Sequence, residues 1–499
     1  MEQLELRSSE MHTDSSFNCV DGGNATAAEM LHEEVESEGP DFSYLPETAW
    51  VRILEHLPMT DQYHVSITCS RLCHLFSHPA LWKSAYLGLI GGEHNFHMSH
   101  AFMPNQFKRI VEHFGHLFQR LTIVISGHLV KFEEDTREIL ANLTKVCRLE
   151  HLVLQVGIVT SNFHRRGMRP RQADLLSIVQ LVSNAFRLKQ LEIISWPMYP
   201  EIFDKDDTNV FEVMKKNPKL SNLESLRMFW MKNRHWSELA PLLPSPDYTA
   251  SLVSHFRALK HLALRSPMLS DELLSELASP SRTKLLSLQI LVMYNLHNWA
   301  FRIPTLSSSA WLSLTTASPN LEVEFAIMSR VPDFELAGLL LPEVPVVAVK
   351  ILKYGRCSPQ VMSSLREKYH KSLQSFVCYN DPTDCASQLV DLVKSCKKIN
   401  SVVFHGQIHS QSVIEIVQQR HHWQEFEFLE KSIVTEREQE VFDEDTVIGR
   451  GADGGLVQVG VVRFHGRESE DDRQTGLDYL CKEVSKRMEY SWRPLVGQT

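Results

Sequence analysis

From about residue 118 onward one short pattern recurs along the chain. It is an apolar residue, two variable positions, an apolar residue, one variable position, and an apolar residue. It reads FQRLTI from 118, LEHLVL from 149, LKQLEI from 188, LESLRM from 223, LKHLAL from 259 and LLSLQI from 285. It continues as VVAVKI from 346, LQSFVC from 373, INSVVF from 399 and WQEFEF from 423, with a looser copy, LEVEFAI, from 321. LVQVGV from 456 is expected to close the series. The alternation of period two makes each copy a short strand, because successive strand side chains point to opposite faces. The stretches between copies read helical, as in LLSIVQLVSNAF before the copy at 188 and SDELLSELA before the one at 285, which opens on Ser270 as its cap. Ahead of this array, Leu45 to Leu87 has a different rhythm. Trp50, Ile53, Leu54 and Leu57 are spaced as one helical face, and Pro58 ends that helix. Thr60 or Asp61 caps a second helix carrying Val65, Cys69, Leu72, Cys73 and Phe76 on one side. His78-Pro79 breaks it, and Leu81-Trp82 anchors a third short helix. Three helices in so few residues cannot bury all these groups among themselves, so part of the surface is expected to lie against a partner protein.

Strand, helix and return, repeated every 20 to 40 residues, is the signature of a leucine-rich-repeat solenoid. A single unit cannot bury its apolar face, so neighbours stack and their strands run parallel. The expected fold is therefore α/β: a three-helix module followed by an irregular solenoid of parallel strands with helices on the convex face. The alternative is an α/β domain with a single parallel sheet. The Asn or Cys that such repeats place after each strand is replaced by Gly157, Trp196, Met231, Pro267 and Asp381, so the turns must be satisfied in other ways.

Leu45-Pro46, Ile53-Leu54, Leu57-Pro58, Asp61, Val65-Ser66, Cys69, Arg71, Pro79 and Leu81-Trp82 together resemble the F-box. The departures are Thr48 where an acidic residue is usual, Gln62 where Leu is usual, and Leu72 where Trp is usual. An ordinary three-helix packing unit is the alternative. The order of F-box, loop, FKRIVEHFGHLF, irregular repeats and a charged C-terminal helix is similar to the F-box-only proteins of the thirty-nine type. HFRALKHLALRSPMLSDELLSEL and NLEVEFAIM carry that similarity best. The resemblance implies docking onto the Skp adaptor of a cullin-RING ubiquitin ligase through Leu45, Pro46, Ile53, Leu54, Leu57, Pro58, Val65, Leu81 and Trp82.

The expected organisation is a disordered acidic leader over 1–40, the F-box over 41–88, a linker loop and helix over 89–117, and the repeats over 118–499. Within the last, 435–455 reads as a mobile insertion. Leu477, Leu480, Val484 and Met488 make the apolar face of a capping helix. Charge sharpens the boundaries. Residues 1–40 hold ten Asp or Glu against Arg7 alone, so nearly all of the net charge of −10 belongs to this leader. No apolar run spans a membrane and no signal segment opens the chain. Nine cysteines without a CxxC pair read as reduced thiols in cytosol or nucleus.

Candidate chemistry adds little. Gly449, Gly451 and Gly454 spell GxGxxG, but an acidic run precedes them and a strand-like stretch follows, the reverse of a nucleotide-binding turn. His94, His97 and His100 lie in a Gly-rich loop without a ligand set for zinc. The loop FHRRGMRPR, with Arg165, Arg166, Arg169 and Arg171, could grip an acidic partner or phosphate but reads more readily as a solvated loop. No catalytic motif is found, and the cysteines read as small packing residues. The chain is expected to be a non-catalytic substrate receptor, with no cofactor, metal, nucleic acid or membrane partner. A non-degradative scaffold or a plain protein-interaction module is the alternative. Counting strand register places His151, Glu192, Arg227, Phe229, Arg265, Lys350, Tyr379 and His405 outward, as the expected surface for a protein substrate.

Overall fold

The computed structural model of this chain describes residues 44–90, 104–126, 133–146, 148–156, 172–196, 209–228, 243–294, 303–380, 385–420, 422–435, 446–450, 456–460, 470–488 and 491–496. Its N-terminal part is helical: α1 (Glu47–Glu55), α2 (Met59–Ser66), α3 (Ser70–Phe76) and a 3-10 turn at Pro79–Lys83. The expected second helix is thus two. The chain leaves helical geometry after Ser66, and α3 restarts from an extended Cys69 with φ −156° and ψ 160°. Cys69 is consequently exposed and Cys73 half-buried, not on a buried helix face as the sequence spacing had it. Pro58, not Thr60 or Asp61, is the N-cap residue of α2.

The 3-10 turn runs directly into β1 (Ser84–Ile90), the first strand of a 12-stranded sheet. It is followed by β2 (Arg120–Ser126), β3 (His151–Val156), β4 (Gln190–Ser195), β5 (Ser225–Met228), β6 (His261–Arg265) and β7 (Ser287–Val292). Then come β8 (Glu322–Ile327), β9 (Val346–Ile351), β10 (Ser375–Cys378), β11 (Ser401–Phe404) and, after the short β12 (Ile408–His409), β13 (Glu425–Phe428). The sheet order is β1 through β11 and then β13, with every pairing parallel. A strictly sequential parallel order requires all crossovers to pass on one side, which makes a solenoid and not a doubly wound sheet. Helices α4 (Pro104–Phe114), α5 (Glu133–Val146) and α6 (Gln172–Asn184) begin the layer on that side, and each packs on the next.

The sheet therefore starts at Ser84, inside the expected F-box boundary. The stretch expected as linker contributes α4, whose Phe107, Ile110 and Val111 are buried. LVQVGV does not close the series. Its strand β16 (Leu456–Gly460) pairs antiparallel with β15 (Thr446–Arg450), apart from the main sheet. Gly449 lies within β15, while Gly451 and Gly454, like the His94 and Arg165 loops, fall outside the described residues. The solenoid is capped by the helix Glu470–Met488, which buries Leu477, Leu480, Val484 and Met488. Trp492 seals the last strand by donating its indole N–H to the Phe426 carbonyl at 2.9 Å.

Alternation builds the strands as expected: Leu152, Leu154 and Val156 in β3, and Leu191 and Ile193 in β4, point into the helix-packed core. Helix starts follow local chemistry. Ser270 accepts from the Leu273 N–H at 3.2 Å, and Ser245, Ser307 and Ser358 cap in the same way, each worth about 1 kcal/mol. The missing asparagine ladder is replaced from several places. Ser266 and Ser329 hydroxyls accept from the Met293 and Tyr294 N–H groups, and Asn380 donates to the Gly355 carbonyl. At helix C-termini, Arg282 donates to Val253 and Phe256, Arg420 to Ile399 and Val393, and Asn217 to Val182 and Ser183. These donors satisfy carbonyls that a helix end leaves open.

Candidate protein-interaction surfaces

Two surfaces follow from this architecture, one on the helical module and one on the sheet face turned away from the helices. In the module, Val51, Leu54, Leu75, Phe76, Leu81 and Trp82 are buried. Trp82 donates its indole N–H to the Phe76 carbonyl at 2.7 Å and meets the Phe76 ring edge-on. Of the residues expected to contact an adaptor, Leu54, Leu81 and Trp82 are therefore core, committed to the chain itself. The helical spacing that made them look like one face also turns them inward. Pro46 and Ile53 are exposed, and Leu45, Leu57, Pro58 and Val65 are half-buried. Ile67 is 66% exposed as well, so the module leaves several apolar side chains in water.

Gln62, the departure where Leu is usual, is buried and paired. Its amide donates to the Leu54 carbonyl at 2.9 Å and the Leu57 carbonyl at 3.0 Å, closing the open end of α1. A leucine would supply apolar volume here; the glutamine supplies two donors where α1 ends. Arg71 secures the opening dipeptide by donating to the Leu45 carbonyl at 2.5 Å.

On the sheet, register gathers most of the predicted substrate residues onto the open face. Glu192 pairs in register with Arg227, Gln289 with Glu324, and Ala326 with Lys350. The side chains form a chain of polar contacts. Arg227 approaches the Glu192 carboxylate at 3.5 Å and donates to the Gln289 side-chain oxygen at 3.2 Å, spanning the small Ala263 between them. Gln289 donates onward to Glu324 at 3.4 Å, and Lys350 meets Glu324 at 2.8 Å. Further along, Ser375 donates to Ser401, and Ser401 to Glu425 at 2.9 Å. His405 contacts Glu427 at 2.7 Å, and the Tyr379 ring stands edge-on to it, 5.2 Å between centroids. His151 lies half-buried on the same face, held below the usual histidine range by burial and then by the Arg120 and Arg227 cations.

Arg265 departs from expectation. It has the right register but is only 1% exposed, and burial pulls its guanidinium down to about 10. On this part of the open face Ala263, Leu291 and Ala326 are buried together, with Met293, Met328 and Leu352 packed against them, so the position is interior and no contact surface. Phe229 lies outside the described residues. Gln289 and Glu324, which link the ladder, were missed among the candidates although the same register count reaches both. Gln62 carried no signal beyond its departure from the motif.

Among the described residues no group of His, Cys, Asp or Glu could hold a metal ion, and no helix is long and apolar enough to cross a membrane. The seven described cysteines form no disulfide, with Cys357, Cys378, Cys385 and Cys396 buried. Burial pushes the Cys396 thiol up to about 11, away from the reactive thiolate.

Comparison with known proteins agrees with this anatomy. Residues 42–88 match the F-box-like family. F-box/LRR-repeat protein 21 of Mus musculus is 23% identical over 364 residues, covering 72% of this chain and 76% of that protein. The Bos taurus protein of the same name is 22% identical over 365 residues, with the same coverage of 72% and 76%. Among solved structures, the leucine-rich repeat-containing protein LegL7 of Legionella pneumophila aligns over 81% of this chain and 98% of its own, at 11% identity and a TM-score of 0.34. The chain carries an F-box-like domain joined to a leucine-rich-repeat-type solenoid and is homologous to F-box/LRR-repeat protein 21.

Proposed function

We propose that this chain is the substrate-recognition subunit of an SCF-type cullin-RING ubiquitin ligase. In this reading the F-box edge formed by Leu45, Pro46, Ile53, Leu57, Pro58 and Val65 docks on the Skp adaptor, and the solenoid holds a protein substrate. The chain does no chemistry of its own. Its contribution is proximity, since holding a substrate lysine near a ubiquitin-loaded conjugating enzyme raises effective concentration. The residues of the open face that remain available, His151, Glu192, Arg227, Lys350, Tyr379 and His405, belong to the substrate surface. A reducing cytosolic or nuclear compartment suits the free thiols.

The observation that carries this reading is the F-box-like domain with exposed Ile53 beside a buried Leu54. One helix turn thus keeps an apolar side chain for a partner while its neighbour anchors the module. The test is co-purification of the tagged full chain from eukaryotic cells. The Skp adaptor and a cullin are expected in the wild-type eluate, and Ile53→Asp should lose both while keeping the wild-type melting temperature. Recovery of adaptor without cullin would sink the ligase reading in favour of a non-degradative scaffold. Adaptor recovery unchanged by Ile53→Asp combined with changes at Leu45-Pro46 would leave a plain interaction protein.

A further inference from the structure

The strand-entry edge of the solenoid is a second charged surface, distinct from the open face. Residues just before successive strands bond to one another along the backbone: Lys189 N–H to the Glu150 carbonyl, Glu224 N–H to the Lys189 carbonyl, and Lys260 N–H to the Glu224 carbonyl, at 2.9, 2.8 and 2.8 Å. Their side chains alternate in sign and neutralise in pairs, Lys189 with Glu150 and Lys260 with Glu224, both at 2.9 Å. Elsewhere Arg227, Lys350, Arg366 and Lys394 likewise meet carboxylates.

Three cations beside this ladder have no such pair. Arg148 and Arg187 each stand two residues before a ladder position, Glu150 and Lys189, and so recur in adjacent repeats. Both are exposed, and so is Lys219 in the next repeat. Among the described residues, no carboxylate lies within ion-pair distance of any of the three. Two of them converge on one exposed aromatic: Phe186 is 50% exposed, and the Arg187 guanidinium and the Lys219 ammonium each lie 5.5 Å from its ring centroid. Arg148, Phe186 and Arg187 line one shallow surface depression, and none of its other lining residues is acidic. A large ring left in water and flanked by two like charges gains little in the free chain, since an exposed cation–π contact is worth only about 0.5–1 kcal/mol. It gains once a partner brings carboxylates to the cations and covers the ring, because charge-assisted bonds to guanidinium strengthen as water is excluded.

We propose that Arg148, Arg187 and Lys219, arranged around Phe186, dock an acidic peptide segment of a partner protein, with an apolar side chain of that segment seated on the ring. The surface is independent of the F-box. A chain carrying Ile53→Asp keeps it, so failure of this inference and failure of the ligase reading are separable.

The test is fluorescence anisotropy of a labelled peptide of glutamates around one central leucine, titrated with the full chain at several salt concentrations. Wild-type and Ile53→Asp chains are expected to bind with equal affinity that weakens as salt rises. Arg148→Gln/Arg187→Gln should lose more than tenfold in affinity, and Phe186→Ala about threefold or more with all cations retained. The exposed pair Lys371→Gln/Lys397→Gln, which removes the same net charge elsewhere, should bind as wild type. Equal loss in that control pair would overturn the site in favour of net charge alone. So would an unchanged Arg148→Gln/Arg187→Gln chain. Single-stranded RNA or anionic phosphatidylserine vesicles binding more tightly than the peptide, with the same dependence on Arg148 and Arg187, would overturn the peptide assignment.

Discussion

Trp82 lies flat on Phe114, with ring centroids 4.1 Å apart and planes inclined by only 5°. One ring lies near the end of the F-box-like region and the other ends α4, so the stack joins that module to the first repeat. Phe76 meets both rings edge-on, at 4.9 Å and 6.4 Å, and β1 carries the chain from the module into the sheet without a linker. The two parts thus form one continuous core; under the proposed function, this core would hold a substrate on the solenoid at a defined distance from the adaptor.

This junction gives the first prediction. Phe114→Ala leaves Trp82 without its stacking partner and removes a half-buried ring, at a cost of about 1–3 kcal/mol. The expected result is an earlier, separate unfolding step of the F-box in a urea titration followed by Trp fluorescence. A single transition at the wild-type midpoint would contradict the fused core.

Gln62 gives a prediction against the motif. Gln62→Leu restores the residue usual in an F-box, yet it takes the side-chain donor from the Leu57 carbonyl and leaves the Leu54 carbonyl with the Leu57 N–H alone. Loss of a partner for a buried acceptor costs about 1–3 kcal/mol, so this variant should melt below the wild type. Equal or higher stability would show that apolar volume at this position outweighs the two bonds.

The open-face ladder is testable by a double-mutant cycle. Glu324 and Lys350 are 2.8 Å apart, with side chains 16% and 38% exposed. Glu324→Gln and Lys350→Met, singly and together, are expected to reveal a coupling of under about 1 kcal/mol, given the exposure of the lysine. A coupling indistinguishable from zero would leave both side chains independent and fully available to a partner.

His151 makes stability depend on pH. Burial first, and the Arg120 and Arg227 cations second, hold its pKa below the ordinary histidine value of about 6.5. The unfolded chain therefore takes up a proton that the folded chain resists, so this group lowers stability as pH falls below about 6.5. His151→Gln should shrink the loss of melting temperature between about pH 7.5 and pH 5.5. An unchanged loss would assign the dependence to other groups.

The capping helix rests on a close approach. A Cβ on Gly476 would lie 2.8 Å from Thr435 Cγ2, so Gly476→Ala should destabilise the cap by about 1–3 kcal/mol. Adding Thr435→Ala should return most of that loss, as read by hydrogen exchange in the helix Glu470–Met488. Failure of the second change to restore protection would place the strain elsewhere.

The sequence by itself determined the eleven strands β2 to β11 and β13, because alternation is a local property and each copy states its own inward and outward faces. It also determined the helix cap at Ser270 and the apolar face of the last helix, again from neighbours in the chain. The F-box was legible in the order of its prolines and apolar pairs. Other features depended on what lies across space. SAYLGLI became β1 because β2 offered a parallel edge, while LVQVGV had the right alternation but paired with Thr446–Arg450 instead. Leu54, Leu81 and Trp82 share the apolar character of Ile53, yet only packing decided which of them face inward. Arg265 and Arg227 both fall on outward positions by alternation, but the first is interior and the second reaches over Ala263 to Gln289. Alternation sets the direction of a side chain; burial and pairing are set by what arrives from distant parts of the chain to meet it.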